Sequence, residues 1–99
     1  MVRQVIWSPA SEKDFEKILE YLQLRWNSKT ISKFINKIDD IILLIRKDPK
    51  IFPIINKKLQ IRKSVITKQN TLYYREIHKG IEIVRLFDSR QDSKKLIFT

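Results

Sequence analysis

The chain has 99 residues, 21 of them lysine or arginine and 11 aspartate or glutamate, for a formal charge of +10. That length fits one domain with a modest core, residues 1–99, and a hydrophobic content of 42% excludes a disordered chain. The absence of cysteine excludes disulfides, thiol catalysis, thiolate zinc sites and iron–sulfur clusters, and a single histidine, His78, leaves little from which to build a metal centre.

The longest apolar run, residues 41–45, falls far short of the roughly 20 residues of a membrane span, and Met1-Val2-Arg3-Gln4 carries no signal-peptide pattern. A cytoplasmic protein without cofactor or metal is expected. Residues 2–7 read as a short strand. Ser8-Pro9 marks a helix start, because serine accepts from the free amides of a first turn and proline fits that turn. Glu12, Asp14 and Glu16 follow, where the helix dipole favours acids. Phe15, Ile18, Leu19, Leu22 and Trp26 recur at the spacing of one buried helical face. Asn27-Ser28 offers a second cap, and Ile31, Phe34, Ile35, Ile38, Ile42 and Ile45 repeat the spacing until Pro49 ends the helix. So short a connection predicts an antiparallel helical hairpin.

Residues 48–58, with Pro49 and Pro53, are expected to form a loop. Residues 59–67, 71–77 and 81–87 are rich in β-branched and aromatic side chains and are predicted strands. Lys68-Gln69-Asn70 makes the first turn, and His78-Lys79-Gly80, with the chain's one glycine, makes the second. Residues 88–95 are polar, and residues 96–99 are too short to assign. The order predicts an α+β fold: an N-terminal strand, an antiparallel two-helix hairpin, then a three-stranded antiparallel meander. The helices cover one face of this small sheet and leave the other partly open.

The charge is unevenly placed. Residues 41–75 hold nine basic side chains and one acid, whereas residues 9–24 hold four acids and two lysines. Arg62, Lys63, Arg75, Arg85 and Arg90 lie on or beside adjacent predicted strands, and guanidinium groups bind phosphates through paired hydrogen bonds. A polyanion-binding surface follows from this set; the bland alternative is a solvated face with ordinary ion pairs. Tyr73, Tyr74 and Phe87 are the rings available for stacking on bases, but aromatics in a small sheet usually pack inward, and two of the three are expected in the core. His78 sits at a predicted hairpin tip, a poor place for a general base. Glu12, Glu16 and Glu20 line one side of the first helix, with Lys13 and Lys17 between them, as a solvated face does.

Several segments are familiar together. Trp7-Ser8-Pro9 leads into an acidic helix; an isoleucine-rich helix ends at Asp48-Pro49; Leu72-Tyr73-Tyr74-Arg75 and the closing Leu86-Phe87-Asp88-Ser89-Arg90-Gln91-Asp92 follow in order. In these the chain resembles the RelE/ParE superfamily of type II toxins over nearly its whole length. The resemblance implies a helical hairpin packed on a small antiparallel sheet. It also implies a growth-arresting toxin, associated with plasmid stabilisation and neutralised by a cognate acidic antitoxin in a heteromeric complex. The positive charge suits that partner on physical grounds as well.

Two branches of the superfamily differ in chemistry. RelE-like members resemble ribosome-dependent mRNA endonucleases, in which a ribose 2′-hydroxyl attacks the adjacent phosphate and basic residues stabilise the developing charge. In that branch Arg62, Arg75 and Arg90 become the phosphate and transition-state contacts. Thr71, however, stands where that branch carries an arginine, and no tyrosine or histidine follows the last strand. ParE-like members resemble DNA gyrase poisons with no chemistry of their own, and Tyr74-Arg75 and the segment 88–92 look more like them. The balance leans to the ParE-like branch, with Arg85, Arg90, Lys94 and Lys95 in the target surface. A ribosome-dependent ribonuclease and a non-toxic basic nucleic-acid-binding module are the alternatives.

Overall fold

In the computed structural model, which describes residues 3–98, the chain passes from strand to helix at Ser8. Strand β1 (Gln4–Trp7) ends there, and helix α1 (Pro9–Arg25) begins with the Ser8 side chain accepting from the Ser11 amide at 3.1 Å. The Ser8 hydroxyl in turn donates to the Val84 carbonyl at 2.8 Å, so the cap also pins the helix start to the sheet. Helix α2 (Ser28–Lys47) starts from Asn27, whose side chain accepts from the Thr30 amide at 3.0 Å. The helices form the expected antiparallel hairpin. Ile18 of α1 and Phe34, Ile38 and Ile45 of α2 are buried, while Trp26, placed on the inward face by its spacing, caps α1 and is 56% exposed. Val2, the expected first strand residue, lies outside the described residues.

Five strands form one sheet in the order β1-β5-β4-β3-β2. Here β3 is Ile61–Val65, β4 is Asn70–Ile77 and β5 is Gly80–Asp88. The meander is antiparallel as predicted, and β1 joins it in parallel beside β5. Strand β2 (Ile54–Asn56) was not expected: it lies inside the predicted 48–58 loop. At three residues it is too short to show a period, and it exists through its pairing with β3, opposite Arg62 and Ile61. Arg62 and Tyr74 fasten the preceding loop. The Arg62 guanidinium donates to the Phe52 carbonyl at 2.7 Å, and the Tyr74 hydroxyl to the Pro49 carbonyl at 2.8 Å.

Gly80 is needed for a different reason than the turn. It has no positive φ and opens β5 opposite Gln4. A Cβ there would stand 2.1 Å from the Gln4 carbonyl oxygen, so only glycine lets β1 approach.

The faces of β5 change hands at a bulge. Tyr74 pairs with Ile83 and Tyr73 with Arg85, leaving Val84 as the extra residue. Before it, Ile81 and Ile83 face the helices; after it, Leu86 does so, opposite Leu72. Arg85 and Phe87 are thereby sent to the other face, opposite Tyr73 and Thr71. The last segment returns over that face: a 3₁₀ turn (Ser93–Lys95) leads to Phe98, whose ring lies 5.1 Å from Tyr73. Tyr74 and Phe87 are buried and Tyr73 half-buried, two of the three rings in the core as expected.

Beyond the end of β1, the free edge of β5 is closed by a side chain. Asp14 of α1 accepts from the Leu86 amide at 3.0 Å, and takes a bidentate bond from the Arg85 guanidinium at 2.7 and 2.9 Å. Both side chains are nearly buried. Removing one partner of such a pair leaves the other charge buried and the edge amide orphaned. Asp14→Ala is expected to lower stability by about 3–5 kcal/mol. Asp14→Asn, which keeps an acceptor for the Leu86 amide, should cost less. Urea unfolding of both variants against the parent checks the order, and an Asn variant as weak as the Ala variant would contradict it.

Candidate functional site

The basic residues singled out by the sequence do not converge on one surface. Register places Arg62 on the helix face with Tyr74, while Arg75 and Arg85 lie on the opposite, open face. Each arginine is engaged. Arg62 holds the loop before β2; Arg75 pairs with Glu82 at 2.7 Å; Arg85 pairs with Asp14 and also donates to the Lys95 carbonyl at 3.0 Å. Hydrogen bonding to Asp14 raises the Arg85 pKa against the opposing effect of burial. Lys63, Lys94 and Lys95 are exposed and, among the described residues, take no part in an ion pair. Lys63 is on the open face by its register with Tyr73, and Lys94 and Lys95 lie in the segment that returns across it. His78 is exposed at the hairpin tip.

Arg90 is elsewhere. It follows β5 on the helix side, chelated by Asp88, with its Nε 2.9 Å from one carboxylate oxygen. Its guanidinium lies 4.0 Å from the centre of the Tyr21 ring of α1, and Arg25 approaches the same ring at 5.1 Å. Burial acts to raise the Asp88 carboxyl, but the side-chain and backbone hydrogen bonds from Arg90, with its charge, outweigh it and hold the group below its ordinary value.

Arg90 and Tyr21 border a cleft of about 590 Å³ between the two helices and the β3–β4 turn. Ile18 and Phe34 form its apolar floor, and Trp26, Lys33, Lys37 and Asn70 stand around it. The turn is stapled by its own side chains: Asn70 donates from its backbone and its side-chain amide to the Thr67 hydroxyl, at 3.1 and 2.8 Å. The Asn70 Oδ1 is buried and has no hydrogen-bond partner. The sequence did not signal this cleft, since it draws on both helices and a turn. Its one legible trace is the row Lys29, Lys33, Lys37 at four-residue spacing. A second groove of about 530 Å³ lies on the other side of the hairpin, between Trp7, Phe15 and Ile35 and the acids Glu12, Glu16 and Asp39. Among the described residues no cluster of acids, histidine or cysteine is placed to hold a metal, and no helix is long and apolar enough to cross a membrane.

Residues 5–93 match the family described as ParE toxin of type II toxin–antitoxin system, parDE. No curated protein matches the sequence. Among solved structures, the chain is similar to the YoeB/ParE toxin from Agrobacterium tumefaciens, with a TM-score of 0.65 at 18% identity, covering 86% of this chain and 96% of that one. It is also similar to a chain of the E. coli DinJ-YafQ toxin–antitoxin complex (TM-score 0.59, 15% identity, 91% and 96% covered). A chain of the YoeB-YefM complex from Staphylococcus aureus is a third (0.58, 20%, 88% and 97%). At these identities the likeness establishes the fold, a helical hairpin on a small sheet.

The Asp88–Arg90 pair yields a pH signature. Because the folded-state pKa of Asp88 is lowered from 3.8, its contribution is complete above that value and is lost as the pH falls through the lower one. Asp88→Asn is expected to destabilise the protein at neutral pH and to flatten its loss of stability below about pH 4. Denaturant unfolding at pH 7 and at pH 2–3 checks this; an equal gap between parent and variant at both would contradict it.

Proposed function

The chain belongs to the ParE toxin family of type II toxin–antitoxin systems, and from that membership we propose that it arrests growth by binding DNA gyrase, without chemistry of its own, and is held inactive by an acidic antitoxin. One observation carries the choice of mechanism. Each arginine that a ribonuclease of this fold would turn toward phosphate is committed to the chain itself: Arg62 to a loop carbonyl, Arg75 to Glu82 and Arg90 to Asp88. With His78 at a hairpin tip, no imidazole accompanies them. Guanidinium donors engaged in this way are not turned toward a phosphate, which is the role a nuclease of this fold would ask of them.

The groups free to meet a target are lysines. On the open side of the sheet these are Lys63, Lys94 and Lys95, exposed and outside any ion pair among the described residues. A solvated cationic rim accelerates association with an acidic partner and discriminates against basic ones. The antitoxin partner is supported by the solved relatives, since the E. coli and Staphylococcus aureus chains sit in toxin–antitoxin complexes.

Induced expression should arrest growth, and the purified chain should cause gyrase to accumulate cleaved DNA while mRNA stays intact. The triple variant Lys63→Glu, Lys94→Glu, Lys95→Glu is expected to lose about tenfold or more of this inhibition at low salt, through slower association. Arrest with mRNA cut at codons and unbroken DNA would replace this mechanism with the RelE-like nuclease. A folded chain that causes no arrest would remove the toxin assignment itself.

A further inference from the structure

We propose that the cleft between α1 and α2, together with the lysine row of α2, is a binding site for single-stranded nucleic acid, in which one base stacks on Trp26 and donates an N–H to Asn70. Three independent features of the helical side of the molecule meet there.

The first is a cationic track. Lys29, Lys33 and Lys37 recur every four residues of α2, so they lie along one face at steps of about 6 Å. All three are exposed, and none is in an ion pair among the described residues. Lys33 and Lys37 border the cleft directly, where Asp40 is the one acid. The second is a free ring. Tyr21 is already covered by Arg90 and Arg25, but Trp26, also on the cleft, is 56% exposed and stacks on no other aromatic among the described residues. An exposed indole beside a row of cations is the arrangement by which single strands are held, the ring taking a base and the cations the phosphates.

The third is an unmet acceptor. Asn70 borders the cleft, is only 7% exposed, and its Oδ1 has no partner. The Nδ2 donates to Thr67, which fixes the amide orientation and leaves the oxygen as the group in need of a donor. Every base has an N–H on its pairing edge, exposed only when the base is unpaired and unstacked, so a duplex does not satisfy the site. An acidic peptide would meet the lysines equally well. An amphipathic peptide helix, however, needs apolar anchors over several turns of a groove, and this cleft is a single pocket at one point of the row.

The test is fluorescence anisotropy of a labelled deoxyadenylate strand of about 12 nucleotides with the full chain across a salt series. Trp26→Ala is expected to weaken binding by about 5- to 150-fold. Lys33→Gln with Lys37→Gln should reduce the salt slope by about 1.4. An abasic strand of the same length should bind the parent no better than the deoxyadenylate strand binds Trp26→Ala. All three substituted positions are exposed, and unchanged circular dichroism confirms that the variants fold. The proposal is overturned if the parent does not bind the strand, if the abasic strand binds as tightly, or if either variant binds like the parent. It is overturned equally if a glutamate-rich peptide of matching charge displaces the strand and itself depends on Trp26, which would make this an acidic-peptide site. None of these outcomes depends on gyrase, so the proposal and the assigned target stand or fall separately.

Discussion

A five-stranded sheet with a four-residue first strand has an edge to hide, and Asp14 hides it. β1 covers β5 only as far as Ile83. From there on, the outward amides of β5 face α1, and a helix has no free backbone acceptors to offer along its side. One carboxylate supplies the acceptor for Leu86 and is neutralised in the same place by Arg85. A buried carboxylate alone would be costly, and so would an orphaned amide; each removes the other's penalty. The bond also sets the distance of α1 from the sheet. Through α1 it sets the position of Tyr21, and through Arg85 it anchors the carbonyls of Lys95 and Ile97 in the returning segment. Both faces of the sheet are therefore organised around one pair.

The bulge at Val84 makes this possible. In an uninterrupted strand the residues facing the helices would continue from Ile81 and Ile83 to Arg85 and Phe87. That register would drive a guanidinium into the aliphatic core and turn Leu86 to the open face. One extra residue reverses the assignment. Asp88 then falls on the helix side, where it holds Arg90 against Tyr21, and opposite it on β4 stands Asn70, which borders the cleft. A single insertion thus separates an anchoring arginine from the core and creates one wall of the pocket.

Much of this was legible in the residues. Ser8-Pro9 and Asn27 cap the helices as their chemistry requires, and the period of Phe34, Ile38 and Ile45 identifies the buried stripe. The three later strands lie within a few residues of their predicted bounds, and the family pattern led to the right superfamily. What escaped depends on partners distant in the chain. Ile54–Asn56 is a strand only because β3 lies beside it. Gly80 looks like a turn glycine, yet it is required by Gln4, which reaches it from the other end of the sequence. The irregular alternation of β5 gave no sign of its cause, since a bulge is defined by two strands and not by one. The arginines looked like a polyanion surface because their acids, Asp14, Glu82 and Asp88, carry no mark of whom they pair with until the sheet is assembled.

That assembly divides the two kinds of cation by task. The chain has seven arginines, and each is engaged: Arg3 and Arg46 exchange bonds with one another's backbone, Arg25 stacks on Tyr21, and the rest pair with acids or a loop carbonyl. Among the described residues no lysine enters an ion pair. The division follows from the side chains. A planar guanidinium with several fixed donors satisfies a carboxylate or two carbonyls at once and loses little freedom per bond, whereas an ammonium on a flexible stem is better hydrated than buried. Three arginines have their charge offset by an acid and the other four are held by carbonyls or a ring, so the mobile, outward part of the field of a +10 chain is carried by its lysines. They extend over the open sheet face and along α2, and both surfaces, though built from different elements, attract the same sign of partner. The two tasks do not compete, because the outward field rests on lysines and leaves undisturbed the arginines that hold the fold together.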